Sequence, residues 1–377
     1  MTCTASRRLL PFLAATLLAA AACSDSIGPV VRHAPKGVAV LNGSGQTGIT
    51  LADSIGAGAT FLPFTGQFDG AAFAIERDTA LATSSALAGD LLWVADLGAA
   101  HVQTFQMPAA SDPSAASFLH GVGGVSFGVT LRAAGSLALV SQPNAATPTV
   151  RVVSAGRCPT DVFDYAGSFF VADANADCAN FSADGVARLI RFSSDGAAHD
   201  TIGLATGAVG TSATVVVSGR YAYVATDGDA DFSTFPYTFR SPGVVTKVDM
   251  TEKQVVGSVA LPVPSYGATM HLGADGKLYV VAYTATDASR QDVFAIAPAT
   301  MTFTGPRATD SDALDLRITG TTSPSCTVAT ADALGRIYCV TVDYGSAGAS
   351  TLYVFNADGS LLRQFAVGQY AVDLALR

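Results

Sequence analysis

Short apolar runs punctuated by glycine recur along the whole chain; they have the length and the valine-rich, aromatic make-up of β-strands, and no amphipathic helix reads cleanly. The recurring phrase is a glycine, a small spacer and a valine-rich segment that often includes an aromatic. It reads Gly89-Asp90-Leu91-Leu92-Trp93-Val94, Gly167-Ser168-Phe169-Phe170-Val171 and Gly219-Arg220-Tyr221-Ala222-Tyr223-Val224. Further copies start at Gly135, Gly276 and Gly335, and a degenerate one at Gly37. A second strand is predicted after a turn in five of them, over 149–153, 186–192, 244–248, 293–296 and 352–355. The clearest hairpin signal is Asn356-Ala357-Asp358-Gly359-Ser360, set between Tyr353-Val354-Phe355 and Leu361-Leu362.

Self-similarity at a period of tens of residues marks a repeat architecture. Seven starts predict an all-β ring of seven four-stranded blades, a β-propeller, although six or eight fit similar spacings. The steps run from 46 to 59 residues except for the 32 between Gly135 and Gly167. That short step predicts a blade near Gly135 without its outer strand. The final alternating segment, Ala371-Val372-Asp373-Leu374-Ala375-Leu376, has no partner downstream. It is expected to supply the innermost strand of the blade begun at Gly37, closing the ring and hiding two sheet edges.

Composition agrees with an exported all-β protein. Of 30 acidic residues only Glu76 and Glu252 are glutamates, and only four of 21 basic residues are lysines. Glutamate and lysine favour helices, whereas aspartate favours turns. Arg7 and Arg8 precede an apolar stretch of 14 residues from Leu9 to Ala22, a secretory leader rather than a membrane span. The run Ala20-Ala21-Ala22-Cys23-Ser24 resembles the bacterial lipoprotein signal, with Ala20 where that family prefers leucine; it also satisfies the A-x-A pattern of ordinary cleavage. The resemblance implies a leader over 1–22 and lipid on Cys23; Gly28, Pro29 and Pro35 without apolar periodicity then make 23–36 a tether, and the glycine repeats make 37–377 the propeller. The resemblance also implies a protein held at the bacterial cell envelope, facing periplasm or exterior.

Lipid on Cys23 would leave Cys158, Cys178, Cys326 and Cys339, an even set. Two local bridges are then expected, Cys326 with Cys339 across a turn between strands and Cys158 with Cys178 around another strand; buried free thiols are the alternative. The formal charge of −9 argues against nucleic acid or anionic lipid as a partner, so membrane attachment rests on Cys23.

Several motif matches fail on context. Gly43-Ser44-Gly45-Gln46-Thr47-Gly48 fits the dinucleotide fingerprint, but a strand rather than a helix follows, which makes it a hairpin turn. Gly124-Val125-Ser126-Phe127-Gly128 fits the nucleophile elbow but lies in strand and turn, without the helix that the elbow needs. The histidines, at 33, 101, 120, 199 and 271, form no ligand pair in sequence.

Two aspartate-rich loops carry the remaining chemistry. Asp173, Asn175 and Asp177, with Asp184 at position twelve, and Asp227, Asp229 and Asp231 place oxygen side chains at alternate positions, as a calcium loop does. Both lack glycine at position six, so solvated acidic turns are the competing reading. Calcium is the one cofactor that these residues suggest.

Segments such as Leu92-Trp93-Val94-Ala95-Asp96 through Phe105, and Leu352-Tyr353-Val354-Phe355-Asn356-Ala357-Asp358-Gly359, resemble extracytoplasmic propeller repeats of the YVTN and NHL type. The resemblance covers about residues 37–377, and the group it points to includes binding scaffolds, envelope-assembly lipoproteins and some hydrolases. A ring presenting many loops without a catalytic constellation makes a monomeric, non-enzymatic binding or scaffold protein the leading expectation, its ligand an envelope protein or a small molecule. A calcium-dependent propeller hydrolase, of lactonase or phosphotriesterase type, is the rival reading.

Overall fold

The computed structural model describes residues 35–377 apart from 44–46, 54–57, 65–69, 85–88, 121–122, 144–147, 181, 308–310 and 319–322. The expected leader, Cys23 and most of the tether lie outside the described residues. Among the described residues no helix is long and apolar enough to cross a membrane.

The chain forms seven four-stranded antiparallel sheets arranged as a β-propeller. Blades 2 to 7 each start at an inner strand and run outward. The inner strands are Gly70–Glu76, Pro113–Phe118, Pro159–Tyr165, Ala213–Ser218, Tyr266–Leu272 and Val328–Ala331. Blade 1 is assembled from both ends of the ring: Ala371–Leu376 is innermost and pairs with Gly37–Asn42, placing Val40 opposite Leu374. Backbone bonds from Lys36 N–H to the Arg377 carbonyl, and from Arg377 N–H to the Gly37 carbonyl, fasten this seam.

Each interface between neighbouring blades holds its own apolar core, seven in all. Between blades 1 and 2, Leu41 and Ile49 meet Trp93, whose ring stacks on Phe64 at 5.4 Å. Between blades 3 and 4, Leu139 and Val162 meet Phe169 and Phe192, stacked at 5.2 Å. Strands buried on both faces explain why the runs read as nearly continuous apolar segments rather than as clean alternation.

The glycine phrase marks a turn, not a fixed place in the blade. Gly167 has a φ of 76°, a left-handed conformation that glycine adopts without steric cost, and it opens the second strand of blade 4. Gly89 and Gly135, however, open third strands, Leu91–Asp96 and Ser136–Ser141. The second strand of blade 2, Thr79–Ser84, follows a turn in which Arg77 takes the left-handed position at φ 53°. Blade 3 therefore has all four strands, with Thr149–Ser154 outermost, and the expected loss of an outer strand is corrected.

The two motif matches fall as their context predicts. Gly48 begins a strand paired with Gly37–Asn42, and Val125 to Gly128 lie within Val125–Leu131.

Both expected disulfides are present, Cys158–Cys178 and Cys326–Cys339, with Cα separations of 5.7 and 5.5 Å. They fit an oxidising, extracytoplasmic compartment.

Candidate functional site

The seven inner strands surround a central channel of about 510 Å³. Small or hydroxyl side chains line much of it, among them Ala72, Ser114, Ser117, Thr214 and Thr269. Five ionisable residues line it: Asp161 of blade 4, His271 of blade 6 and Asp373 of blade 1, beside the mutually paired Asp112 and Arg132. His271 Nε2 lies 3.0 Å from Asp373 Oδ1. That oxygen also accepts the Leu374 N–H at 2.7 Å, which holds the carboxylate in place. Asp161 is built in the same way, its Oδ1 accepting from Val162 N–H at 2.8 Å. Its Oδ2 accepts from Val215 N–H on the neighbouring inner strand at 2.7 Å.

These environments move the protons. Burial pushes Asp161 up to about 7, against the pull of the two amides, and the Asp373 charge adds to the rise. Burial alone would depress His271, but the charge and hydrogen bond of Asp373 outweigh it and raise the imidazole above its ordinary value. A carboxyl group that titrates near neutrality, and a histidine braced by a carboxylate, can exchange protons with a bound molecule. On the channel wall Arg132 is spent on Asp112, with Nη2 2.7 Å from Oδ2.

The aspartate-rich loops are engaged elsewhere. Asp173 is fully buried and accepts from Cys158 N–H at 2.8 Å and from Arg188 Nε at 2.9 Å. Asp227 accepts from Thr211 N–H at 2.8 Å, Thr211 Oγ1 at 3.0 Å and Ser212 N–H at 3.1 Å. Each thus ties the end of a second strand to the entry of its blade's inner strand. Asn175 donates its amide to the Val186 carbonyl, and Asp177 accepts from Asn180. Asp184 pairs with Arg157 at 2.6 Å, while Asp229 and Asp231 both reach Arg240. Among the described residues no group of three His, Cys, Asp or Glu is placed to hold a metal ion.

The channel trio escaped sequence reasoning because more than 100 residues separate Asp161, His271 and Asp373 from one another. The available signal was a charged residue inside a short apolar strand, as in Ala371-Val372-Asp373-Leu374. Of the other histidines, His120 pairs with Glu76 at 2.9 Å at the surface, and His33 lies outside the described residues.

No protein-family model matches the chain, and no curated protein matches it. Solved structures do resemble it. A putative 6-phosphogluconolactonase from Bacteroides fragilis aligns with a TM-score of 0.60 at 12% identity, over 93% of this chain and 100% of that one. The periplasmic gluconolactonase PpgL of Pseudomonas aeruginosa aligns at 0.59 and 14% identity, over 90% and 98%. Hydrazine synthase of Kuenenia stuttgartiensis aligns at 0.56 and 13%, over 80% and 86%. At such identities the likeness is one of fold, and these proteins differ in activity among themselves.

Proposed function

We propose that the protein binds a small polar molecule in its central channel, with His271, Asp373 and Asp161 as the groups that recognise it. The observation that carries this reading is the convergence of those three residues on one cavity whose volume lies in the usual range for ligand sites, roughly 300–1,000 Å³. Two carboxyl groups against one imidazole disfavour an anion. A neutral polyhydroxylated molecule matches both the carboxylates and the hydroxyl lining. Anchored through Cys23, the ring would present this channel at the envelope surface.

Saturation-transfer NMR with a panel of neutral mono- and disaccharides, at about pH 7, tests the reading. At least one sugar is expected to bind, and His271→Ala and Asp161→Asn to weaken it by about tenfold, the equivalent of one charged hydrogen bond lost. A panel without binders, or variants that bind as the parent does, would overturn the reading.

The raised carboxyl of Asp161 favours a second reading, hydrolysis of a neutral lactone. His271 would take a proton from water as its oxygen attacks the carbonyl carbon. Protonated Asp161 would give one to the ring oxygen as the acyl–oxygen bond breaks, leaving a hydroxy acid. Because two of the fold relatives are a gluconolactonase and a putative 6-phosphogluconolactonase, D-glucono-δ-lactone is the natural first substrate. Turnover that survives chelator and is lost in His271→Ala would establish this chemistry; turnover that chelator abolishes would favour the calcium-dependent form.

A further inference from the structure

The face of the ring that carries the second-to-third strand connections also carries the outer-to-inner ones, because the strands alternate in direction. On that face blade 5 inserts a two-stranded hairpin, Asp229–Asp231 with Thr238–Ser241. Its aromatic residues continue onto blade 6 as an unbroken track. Phe235 packs on Tyr237 with ring centroids 5.7 Å apart, and Tyr237 on Phe232 at 5.1 Å. Phe232 meets Tyr266 at 5.3 Å, and Tyr266 stacks on Tyr283 at 5.0 Å. A second pair, Tyr344 and Tyr370, lies on the same face at 6.2 Å. The field of Tyr344 reaches Tyr283, adding to the rise that burial imposes on that phenol.

This surface is held in shape yet left open. Tyr237 N–H bonds to the Thr286 carbonyl at 2.8 Å, pinning the hairpin to the neighbouring blade. A Cβ at Gly348 would fall 2.3 Å from the Tyr370 ring, so the lack of a side chain there lets that ring lie on the backbone. Even so, Phe235 is 73% exposed, Tyr344 69% and Phe232 46%. Large aromatics held in place and left in water mark an interaction surface more often than a fold requirement.

The charges beside the track select the partner. Arg240 is committed to Asp229 and Asp231, and Arg290 to Asp292 at 2.8 Å. Asp287 is engaged by Ser289, through its N–H at 3.0 Å and its hydroxyl, and Asp343 caps the short turn at Tyr344 by accepting the Gly345 N–H. Neither carboxylate has an ion-pair partner among the described residues. Asp287 also lies close enough to Tyr266 for its charge to add to the effects of burial, Tyr283 and Tyr237 in raising that phenol. Aromatic faces flanked by unneutralised carboxylates attract organic cations, and they repel nucleic acid and anionic membranes alike. A track spread over several blades suits an extended chain better than a compact small molecule.

We infer that this face docks a cationic segment of a partner protein, whose arginine or lysine side chains lie over the aromatic rings between Asp287 and Asp343. The site is separate from the channel and from the ligand proposed for it.

Fluorescence anisotropy with labelled nona-arginine, at low and physiological salt, tests the proposal on the whole folded chain. Phe235→Ala with Tyr344→Ala is expected to weaken binding by about tenfold, as two exposed cation–π contacts would. Tyr344→Phe, which keeps the ring, should bind as the parent does. Asp287→Asn with Asp343→Asn should weaken binding and flatten its salt dependence. His271→Ala, in the channel, should leave it unchanged. The proposal is overturned if the aromatic pair binds as tightly as the parent, which would leave only attraction to net charge. It is equally overturned if nona-glutamate binds as well as nona-arginine, or if His271→Ala weakens binding as much as the aromatic pair does.

Discussion

Between its second and third strands blade 4 inserts a small hairpin, Ala176–Asp177 with Ser182–Ala183, and blade 5 inserts its counterpart at the same point of the repeat. The blade 4 insert is locked: Cys178 is bonded to Cys158, and Arg157 reaches Asp184. The blade 5 insert has no disulfide and carries exposed aromatics instead. The aspartates beside the two inserts differ in the same sense. Asp173 has Arg188 at 2.8 Å, whereas Asp227 relies on two amides and a hydroxyl. One repeat position thus serves as a structural clasp in one blade and supports an open surface in the next. The lesson is that an aspartate-rich loop acquires its meaning from the donors that the fold brings to it.

The largest expected effect separates the two clasps. Asp173→Asn removes the buried member of an ion pair whose Arg188 partner is partly exposed, and weakens its charged hydrogen bonds, at a cost of about 2 kcal/mol. Asp227→Asn loses part of a neutral network and should cost about 1 kcal/mol near neutral pH. Denaturant midpoints of the two variants measure the gap, and equal losses would break the comparison.

A smaller effect depends on pH. Burial pushes Asp227 up to about 6 from an ordinary value near 3.8. The folded state therefore holds this proton more tightly than the unfolded chain does. The group's stabilising contribution is full below its unfolded value and is lost as pH rises through 6. The variant cannot carry that buried charge. The Tm of Asp227→Asn relative to the parent should therefore climb by a few degrees between about pH 4 and about pH 8, and a flat difference would show that Asp227 is not buried as described. For Asp161→Asn the climb should continue past 7, in line with the raised value of that carboxyl.

The smallest expected effect is none at all. With their carboxylates already answered by protein donors, the two loops should melt alike in calcium and in chelator. A site filled at 100 times its Kd would add about 2.7 kcal/mol and move the midpoint visibly. Such a shift would mean that the Asp173 or Asp227 clasp opens to take the ion.

Much of the fold was legible because its causes are local. Turns that need a left-handed residue recruit glycine, and strands buried on both faces recruit valine and aromatics, so the repeat is written into the chain. The limits were local too. Arg77 takes the turn position in blade 2 that glycine holds elsewhere. In blade 3 glycines stand before both the second strand and the third, at Gly124 and Gly135, so in each of these blades the glycine phrase points to the wrong strand. The aspartates of the loops were visible, but their partners were not, because Arg188 and Thr211 stand 15 and 16 residues away and reach them only across strands.

Local preferences along the sequence therefore determine the strands, their turns and the repeat, since each depends on residues near in the chain. The pairing of Ala371–Leu376 with Gly37–Asn42, by contrast, joins segments far apart in the chain and is made only as the ring closes. The candidate site is of that second kind. Asp161, His271 and Asp373 contribute one residue from each of three blades, and only closure of the ring brings them to one channel. Their protonation follows from burial and mutual charge at that place, which are properties of position in space rather than of neighbours in sequence.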